Sequence, residues 1–421
     1  MPKTDDQLIA GMVPPKGSRN LVVLCDGTGN ELGRALAEDQ RDIRISNVLK
    51  VFRIAEKRTN QHVWYSPGVG TIGRSDWLHR IRQKVVGFVG LAAGYGLDDN
   101  VLAAYRFLVE TWRPGDRIFL VGFSRGAWTV RVLAGMLHLI GLVRLDQMNM
   151  CDSALETYKR AAAEDKLPLA WHFARVINAR YPTIHFLGCW DTVASVIVPR
   201  PDRFWLPSFE DLPFTKTNPS VATFRHALAL DERRALFQPA EWIQPQAFVP
   251  NRFRPDETRT QDIEQRWFPG VHSDVGGGYP ESESGLSKLA LVWLLDECGK
   301  AGMKLNKPNY RHLVLGAPKE GSGHQYRSPD PAATMHRSLK RAWWLVEAVP
   351  KRVRKSMWPR PSLFGLYLPL AQPRWVDAEH SLDPSIAARM DRVPSYRPVN
   401  LPAALQALPA LPRSDPPVDR G

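Results

Sequence analysis

The chain has 421 residues, which is long enough for one large core or two domains and too long for a small scaffold held by disulfides. Apolar residues make up 44% and charged residues 24%, an ordinary globular composition that excludes a wholly disordered protein. The 56 lysines and arginines exceed the 43 acids, and the net charge of +13 points to an acidic partner, such as anionic lipid or nucleic acid.

Neither the N-terminal residues nor the longest apolar stretches show the pattern of a signal peptide or a membrane span. Residues 1–19 have no apolar core of the signal-peptide type and are predicted to be a flexible N-terminus. The longest apolar stretches, 85–97 and 132–143, fall short of the roughly 18 residues that span a bilayer. We therefore expect a chain that is made in the cytoplasm, without signal peptide or transmembrane helix. A signal-independent system would have to carry it if it is secreted.

Strand and helix patterns alternate along the first 300 residues. A continuous apolar run such as 21–25 is typical of a strand buried on both faces of a parallel sheet. Further strands are predicted at 62–71, 117–123, 183–190 and 264–271, and helices at 47–57, 98–112, 124–141, 152–180 and 287–302. This alternation predicts an α/β fold, with a mostly parallel sheet and helices on both faces.

The patterns divide the chain into unequal parts. We expect a catalytic domain over 20–300, with an irregular, proline-rich insertion at 198–221. A C-terminal accessory region, basic and aromatic, is predicted over 301–392 because the sheet signal fades there. The proline-rich residues 393–421 are predicted to be a flexible tail.

The basic charge is concentrated at residues 337–360, which contain eight lysines and arginines and one acid. Trp343, Trp344 and Trp358 lie within this stretch. Two interpretations stay open. The stretch could dock on anionic phospholipid headgroups, or it could be a solvated basic face whose tryptophans pack inward.

The segment Gly122-Phe123-Ser124-Arg125-Gly126 fits the G-x-S-x-G pattern of a nucleophile elbow. Such a serine sits on a sharp turn between strand and helix, and Gly122 and Gly126 let the two elements approach closely. The helix that begins at Arg125 aims its first backbone N–H groups at developing negative charge. The context between a buried strand and a helix favours a catalytic serine over an ordinary glycine-rich turn.

A catalytic serine needs a base, and the base needs an orienting carboxylate. In α/β-hydrolases the chain order is serine, acid, histidine. Asp191 follows one predicted strand and His272 follows a later one, so both lie at the edge where open α/β sheets build their sites. Asp274 is the alternative acid.

Other histidines compete with His272 for the role of base. His226 is predicted to lie in a charged helix and remains a weaker candidate. His185 lies within a predicted strand and is expected to be a core residue. The four widely spaced cysteines contain no CxxC pair, which argues against a zinc ribbon. We expect no metal and no cofactor.

The loop that follows the first strand begins Asp26-Gly27-Thr28. An aspartyl-phosphate phosphatase would carry an aspartate where this chain has Leu24, and a dinucleotide fingerprint would need a third glycine at Leu32. Two interpretations remain. Gly27 and Thr28 could help form an oxyanion hole together with Arg125, or the loop could be a turn held by Asp26.

Six segments together resemble one known family: NLVVLCDGTGNE, YSPGVGT, GFSRGAWTVRVLAGML, FLGCWDTVAS, RHALALDERRALFQP and WFPGVHSDVGGGY. In this order they look like the catalytic domain of the type VI secretion phospholipase effectors, an α/β-hydrolase domain of bacteria and fungi. The resemblance covers about residues 20–300. It implies a Ser-His-Asp esterase or phospholipase, with Ser124 as nucleophile and His272 as the histidine.

The leading hypothesis is therefore hydrolysis of a carboxylic ester, with phospholipid or another acyl ester as the substrate. One alternative is a soluble intracellular esterase or acyltransferase that acts on a small metabolite, because a fold does not determine a substrate. The other is a hydrolase-like scaffold that only binds a partner. No nucleic acid is expected, since no reading motif for DNA or RNA is visible. The oligomeric state stays open.

Overall fold

One central sheet organises the protein. The computed structural model describes residues 17–27, 44–68, 97–163, 166–193, 197–199, 207–209, 212–339, 343–348, 350–352, 366–376 and 381–401. The strands are β1 (Asn20–Cys25), β2 (Gln61–Ser66), β3 (Arg117–Phe123), β4 (Ile184–Trp190), β5 (Ile197–Pro199), β6 (Pro207–Phe209), β7 (Val221–Ala229), β8 (Ala247–Phe248), β9 (Arg259–Thr260), β10 (Asp262–Phe268), β11 (Lys351–Arg352), β12 (Leu366–Tyr367) and β13 (Ser381–Leu382).

Helices flank this sheet. They are α1 (Asn47–Ile54), α2 (Leu97–Thr111), α3 (Arg125–Leu139), α4 (Cys151–Ala163), α5 (Leu167–Val176), α6 (His272–Gly276), α7 (Gly285–Lys300), α8 (Lys307–Leu313), α9 (Trp344–Glu347) and α10 (Pro384–Arg392). Short 3₁₀ turns cover Leu145–Met150, Ala235–Phe237, Pro255–Glu257 and Glu281–Glu283.

The seven strands of the sheet follow the order β13-β10-β7-β4-β3-β1-β2. Every pairing between neighbours in it is parallel in the described residues. The predicted α/β fold with a mostly parallel sheet is therefore confirmed. Because the strands are parallel, their carboxyl ends meet at one edge, and the loops after β3, β4 and β10 converge there.

The core lies on both faces of the sheet. Leu21 and Val23 of β1 belong to a buried cluster with α2 and α3, whereas Val22 and Leu24 belong to a second cluster with α1 and α7. A strand between two helix layers must be apolar on both faces, which explains the continuous apolar run at the start of the chain.

The segment around His226 is a strand and not the predicted helix. It forms β7, which pairs with β4 on one side and β10 on the other, and all of its residues are buried. Its polar side chains find partners that are far away in the sequence. Arg225 binds Asp262 and Glu297, for example, 37 and 72 residues further along the chain. The charged residues of this segment led to the prediction of a charged helix. Contacts with distant parts of the chain make it a central strand instead.

A short antiparallel pair, β5 with β6, overlaps the predicted irregular insertion at 198–221, and Ile197 lies opposite Phe209 in it. Several of its residues, including 200–206, lie outside the described part of the chain. The two strands on either side of these residues therefore pair with each other.

The sheet continues past residue 300, where the predicted catalytic domain ends. β13 pairs in parallel with β10, with Leu382 beside Trp267. A third buried cluster connects this region to the sheet and consists of Leu228, Leu230, Trp267, Val376, Ile386, Tyr396 and Leu401. The accessory region is thus packed on the sheet edge, and residues 393–401 of the predicted tail are part of that packing. Residues 402–421 lie outside the described part.

Candidate active site

Ser124 lies on a strained turn between β3 and α3. Its φ of 58° and ψ of −120° fall outside the regions that most residues adopt, and such strain is maintained only when the surroundings enforce it. The turn is anchored because the Ser124 N–H donates to the carbonyl of Trp190 at 3.0 Å. A Cβ at Gly126 would overlap the carbonyl oxygen of Cys25, so glycine is required where α3 approaches the end of β1.

This close approach predicts the effect of one substitution. We expect Gly126→Ala to lower the free energy of unfolding by about 1–3 kcal/mol, because backbone atoms must move to admit the methyl group. Chemical denaturation measures the change. Gly299→Ala is the matched control, since a Cβ at Gly299 meets nothing within 4 Å and alanine favours helix. Equal stability of the two variants would contradict the packing argument.

The structure brings Ser124, His272 and Asp191 into one hydrogen-bonded row. Ser124 Oγ lies 2.8 Å from His272 Nε2, and His272 Nδ1 lies 2.5 Å from Asp191 Oδ2. Since a carboxylate only accepts, Nδ1 carries the proton and Nε2 accepts from the serine hydroxyl. The three side chains are buried, with 7% of Ser124, 4% of His272 and none of Asp191 exposed.

Each member of the row follows a different strand at the same sheet edge. Ser124 follows β3, Asp191 follows β4, and His272 begins α6 after β10. Asp191 has a φ of 37°, a left-handed conformation that aspartate tolerates better than most residues. Its N–H donates to Ala227 at 2.7 Å and its Oδ1 accepts from the Ala229 N–H at 3.0 Å.

The charges around the row keep it in one protonation state. Burial alone would raise the pKa of Asp191, but the Arg374 charge and the bond from His272 outweigh it and hold that pKa below its usual range. Burial lowers the pKa of His272, although its bond to Asp191 opposes the shift. At neutral pH the row is therefore a carboxylate, a neutral imidazole and a hydroxyl.

Sequence reasoning missed several residues that hold His272. Glu232, which is 1% exposed, accepts from the His272 backbone N–H at 3.2 Å. Hydrogen bonds from Arg234 lower the pKa of Glu232 to about 2 against the opposing effect of burial. The ring centroids of Phe123 and Phe237 lie 4.7 and 4.9 Å from the centroid of the His272 imidazole. An acidic residue just after the β7 segment was the available signal for Glu232.

The competing residues are engaged elsewhere. Asp274 Oδ1 lies 2.6 Å from His336 Nδ1, and its Oδ2 accepts from the Val271 N–H at 3.1 Å. His226 Nε2 accepts from the Thr192 N–H at 3.0 Å. Burial lowers the pKa of His226 well below its ordinary value. No hydrogen bond within the described ranges joins either residue to Ser124.

The loop after β1 is held by Asp26, which is one of the two interpretations of its sequence. The Asp26 carboxylate accepts from Ser46 Oγ at 2.5 Å, from Tyr65 at 2.8 Å and from the Gly27 N–H at 2.6 Å. Gly27 lies beside Ser124, but its N–H donates to the Asp26 carboxylate. Thr28, the other predicted loop residue, lies outside the described residues.

Arg125 begins α3 next to Ser124, and its side chain is largely covered. Nη2 is buried without a hydrogen-bond partner among the described residues. Burial lowers the pKa of Arg125 to about 10. A buried donor of a cation that lacks a partner is unfavourable, so this position is suited to a ligand group that accepts a hydrogen bond.

The basic stretch 337–360 is described only in part. Trp343 is half-buried and packs edge-on against Phe237, with 5.5 Å between ring centroids, whereas Trp344 is 49% exposed. Trp358 and most of the basic side chains lie outside the described part. The single acid of the stretch, Glu347, is fully buried and accepts from the Ala235 N–H at 2.7 Å.

Within the residues that the structure describes, no group of three or more His, Cys, Asp or Glu side chains is placed to hold a metal ion. None of the described helices combines the length and apolar character that crossing a membrane requires. Cys25, Cys151, Cys189 and Cys298 are all buried free thiols.

The chain is similar to several known proteins. An uncharacterized protein of Saccharomyces cerevisiae is 25% identical over 418 residues, which cover 70% of this chain and 58% of that protein. A crystal structure of an uncharacterized Pseudomonas aeruginosa protein shares 20% identity, with a TM-score of 0.37, over 72% of this chain and 48% of that one. The Tle1 effector bound to the VgrG spike of the type 6 secretion system shares 19% identity, with a TM-score of 0.29, over 64% and 52%.

The chain thus spans about half of each of these proteins or slightly more. A family model gives the assignment, because it matches residues 19–297, well over half of the chain. It describes the catalytic domain of Tle1-like type VI secretion phospholipase effectors. The chain therefore belongs to the family of Tle1-like phospholipase effector catalytic domains.

Proposed function

We propose that this protein is a serine hydrolase that cleaves carboxylic ester bonds of phospholipids, in the manner of a phospholipase A. The observation that carries the proposal is the continuous hydrogen-bonded row of Ser124, His272 and Asp191, with separations of 2.8 and 2.5 Å. Membership of a phospholipase effector family supports lipid as the substrate class.

Acylation of Ser124 is the first half of the reaction. Ser124 Oγ attacks the acyl carbonyl carbon while His272 Nε2 takes the hydroxyl proton. Asp191 stabilises the imidazolium and keeps its ring in the productive orientation. The same proton then passes from Nε2 to the oxygen of the leaving alcohol as the ester C–O bond breaks. The products of this half are the lysolipid and an acyl-enzyme.

Deacylation follows the same path with water as the nucleophile. His272 Nε2 removes a proton from water, which attacks the acyl carbonyl, and then returns that proton to Ser124 Oγ as the fatty acid leaves. After both halves of the reaction, the three side chains are back in their starting protonation states.

Negative charge on the carbonyl oxygen needs preorganised donors in both halves. The first N–H groups of α3 have no partner within the helix, and the Arg125 N–H is the nearest of them to Ser124 in the chain. We assign it as one oxyanion donor. The loop at Thr28 is the proposed source of the second, because the Gly27 N–H is engaged by Asp26.

Two features favour an anionic lipid over a neutral ester. Arg125 lies next to Ser124 in the chain, and its guanidinium Nη2 is buried without a hydrogen-bond partner among the described residues. The basic stretch 337–360 adds positive charge and tryptophans that suit a phospholipid surface. Family membership also supports delivery by type VI secretion, a route without a cleaved signal.

A substrate panel tests the proposal. The full chain would be incubated with p-nitrophenyl esters of increasing acyl length, with phosphatidylglycerol vesicles and with phosphatidylcholine vesicles, and a fluorophosphonate probe would label the nucleophile. We expect fatty acid release from vesicles and an adduct on Ser124 in peptide mass spectra. Short-ester turnover without lipid turnover would instead indicate a soluble esterase. Absence of both turnover and labelling would indicate a binding protein and overturn the proposal.

The pH dependence of this reaction follows from His272. Burial lowers the pKa of His272 below the ordinary imidazole value of 6.5, and the neutral ring is the active base. Protonation therefore abolishes activity only when the pH falls through that lowered pKa. We expect the acidic limb of kcat/KM for an uncharged ester to lie below pH 6.5. A limb above this value would contradict the assignment of a buried, neutral His272 as the base.

A further inference from the structure

Arg374 contacts the site from a part of the chain beyond the family match at 19–297. Its Nη1 donates to Asp191 Oδ1 at 2.5 Å and its Nη2 donates to Asp191 Oδ2 at 3.0 Å. This is a bidentate pair, in which the planar guanidinium matches both carboxylate oxygens. Arg374 is 1% exposed and Asp191 is fully buried, so solvent screens this contact little.

The backbone around the site holds the guanidinium in place. Nη1 also donates to the Ala229 carbonyl at 2.8 Å, and Nη2 donates to the carbonyl of Phe237. Nη1 therefore bridges Asp191 to the last residue of β7, and Nη2 bridges it to the 3₁₀ turn that follows. Rotation of the Asp191 carboxylate would break two charge-assisted bonds, which fixes the plane that Oδ2 presents to His272.

The segment that carries Arg374 is itself anchored. Asn400 Nδ2 donates to the Arg374 carbonyl at 3.2 Å and to the Leu230 carbonyl at 2.9 Å. The buried Glu347 accepts from the Ala371 N–H at 3.2 Å. Val376 belongs to the third buried cluster. The accessory region thus holds Arg374 from both sides.

We propose that Arg374 is a positioning residue, which fixes the Asp191 carboxylate against His272, so that the accessory region completes the active site. The inference rests on the proposed roles of Ser124, His272 and Asp191. Arg374 does not touch the reacting atoms but acts through Asp191.

The charge balance gives this role a measurable consequence. Among the residues that the structure describes, the charged and polar groups that face His272 are Asp191 after β4, Glu232 and Arg234 after β7, and Ser124 after β3. Arg374 offsets the negative charge of Asp191. Without that cation, Asp191 would stabilise the imidazolium more strongly, and the pair would take up its proton at a higher pH.

The test replaces Arg374 by glutamine in the full chain. We expect kcat to fall about 10- to 100-fold with little change in KM, because a carboxylate that still contacts His272 Nδ1 but is no longer held in one plane aligns the base less well. The acidic limb of kcat/KM should move up by about one pH unit. A folded Arg374→Gln variant with an unmoved limb would overturn the proposal. Arg374→Lys keeps the positive charge but loses the bidentate guanidinium. We expect its acidic limb of kcat/KM near the wild-type position, and a kcat between those of Arg374→Gln and wild type.

A second buried arginine of the same region provides the matched control. Arg389 is 4% exposed and donates to the carbonyls of Pro331 and Ala333, away from the row. Arg389→Gln should lower the melting temperature and leave the pH profile of kcat/KM unchanged. If its acidic limb also moved up, the loss of any buried arginine would produce the shift, and the proposal would be overturned. If Arg374→Gln does not fold, the lysine variant decides. Reduced kcat at a wild-type melting temperature supports positioning, and wild-type kcat overturns it.

NMR titration of the His272 ring, assigned with His272→Gln, separates this inference from the proposed function. A wild-type protein without esterase activity would refute the proposed function, whereas the His272 pKa can still be compared between wild type and Arg374→Gln. An upward shift of the pKa in the variant supports the Arg374–Asp191–His272 coupling. An unchanged pKa refutes it, whatever the substrate.

Discussion

Ser124→Ala is expected to abolish ester hydrolysis while the protein stays folded. The substitution removes only Oγ, which is the attacking atom and the partner of His272 Nε2 at 2.8 Å. In serine hydrolases such a loss lowers kcat on the order of 10⁶-fold. Initial rates on the preferred ester and on vesicles measure the effect, and the fluorophosphonate adduct should disappear with it.

Ser153→Ala is the matched control for this variant. Ser153 lies in α4, a different helix from the one that follows Ser124, and the same atom is removed there. We expect wild-type rates and full labelling. If Ser124→Ala retained wild-type turnover, the serine mechanism would be refuted, whereas equal loss in both variants would indicate a general effect of the substitution.

Asp191→Asn is expected to lower kcat by about 10⁴-fold, because the amide stabilises the wrong tautomer of His272 and no longer offsets the imidazolium charge. Asparagine also tolerates the positive φ of this position, so the fold should be retained. Steady-state kinetics with circular dichroism separates loss of activity from loss of structure.

Asp274→Asn tests the alternative acid in parallel. Asp274 accepts from the Val271 N–H and lies beside His336, and an asparagine oxygen can still accept the first of these bonds. We expect kcat near the wild-type value. A larger loss at Asp274 than at Asp191 would reverse the assignment of the orienting carboxylate.

The elements around the site were largely predictable because their signals are local. The apolar run of β1, the run of β3 and the G-x-S-x-G turn each lie within a few residues, and the burial of β1 and β3 agrees with the pattern. A doubly covered parallel strand must be apolar on both faces, so composition alone indicates its environment. The segment of β7 failed this test because Arg225 and His226 are bound by partners that are distant in the chain.

The choice of acid could not be made from spacing. Asp191 and Asp274 both follow predicted strands, and only the packing shows that Asp274 lies against His336 and Asp191 against His272. The loop after β1 was similarly ambiguous until the Asp26 contacts with Ser46 and Tyr65 were visible. Hydrogen bonds between side chains from separate strands leave no periodic signal in a sequence.

The sequence by itself determined the α/β fold, the family and the candidate nucleophile Ser124, because each rests on short-range patterns of burial and turn geometry. The tertiary structure alone decided which carboxylate meets His272, and it alone revealed Arg374, 183 residues beyond Asp191 in the chain. The basic residues that give the chain its net charge of +13 are therefore not all on the surface. At least one of its arginines is buried at the site, because an ionised carboxylate is stable in the interior only with a counter-ion within hydrogen-bond distance.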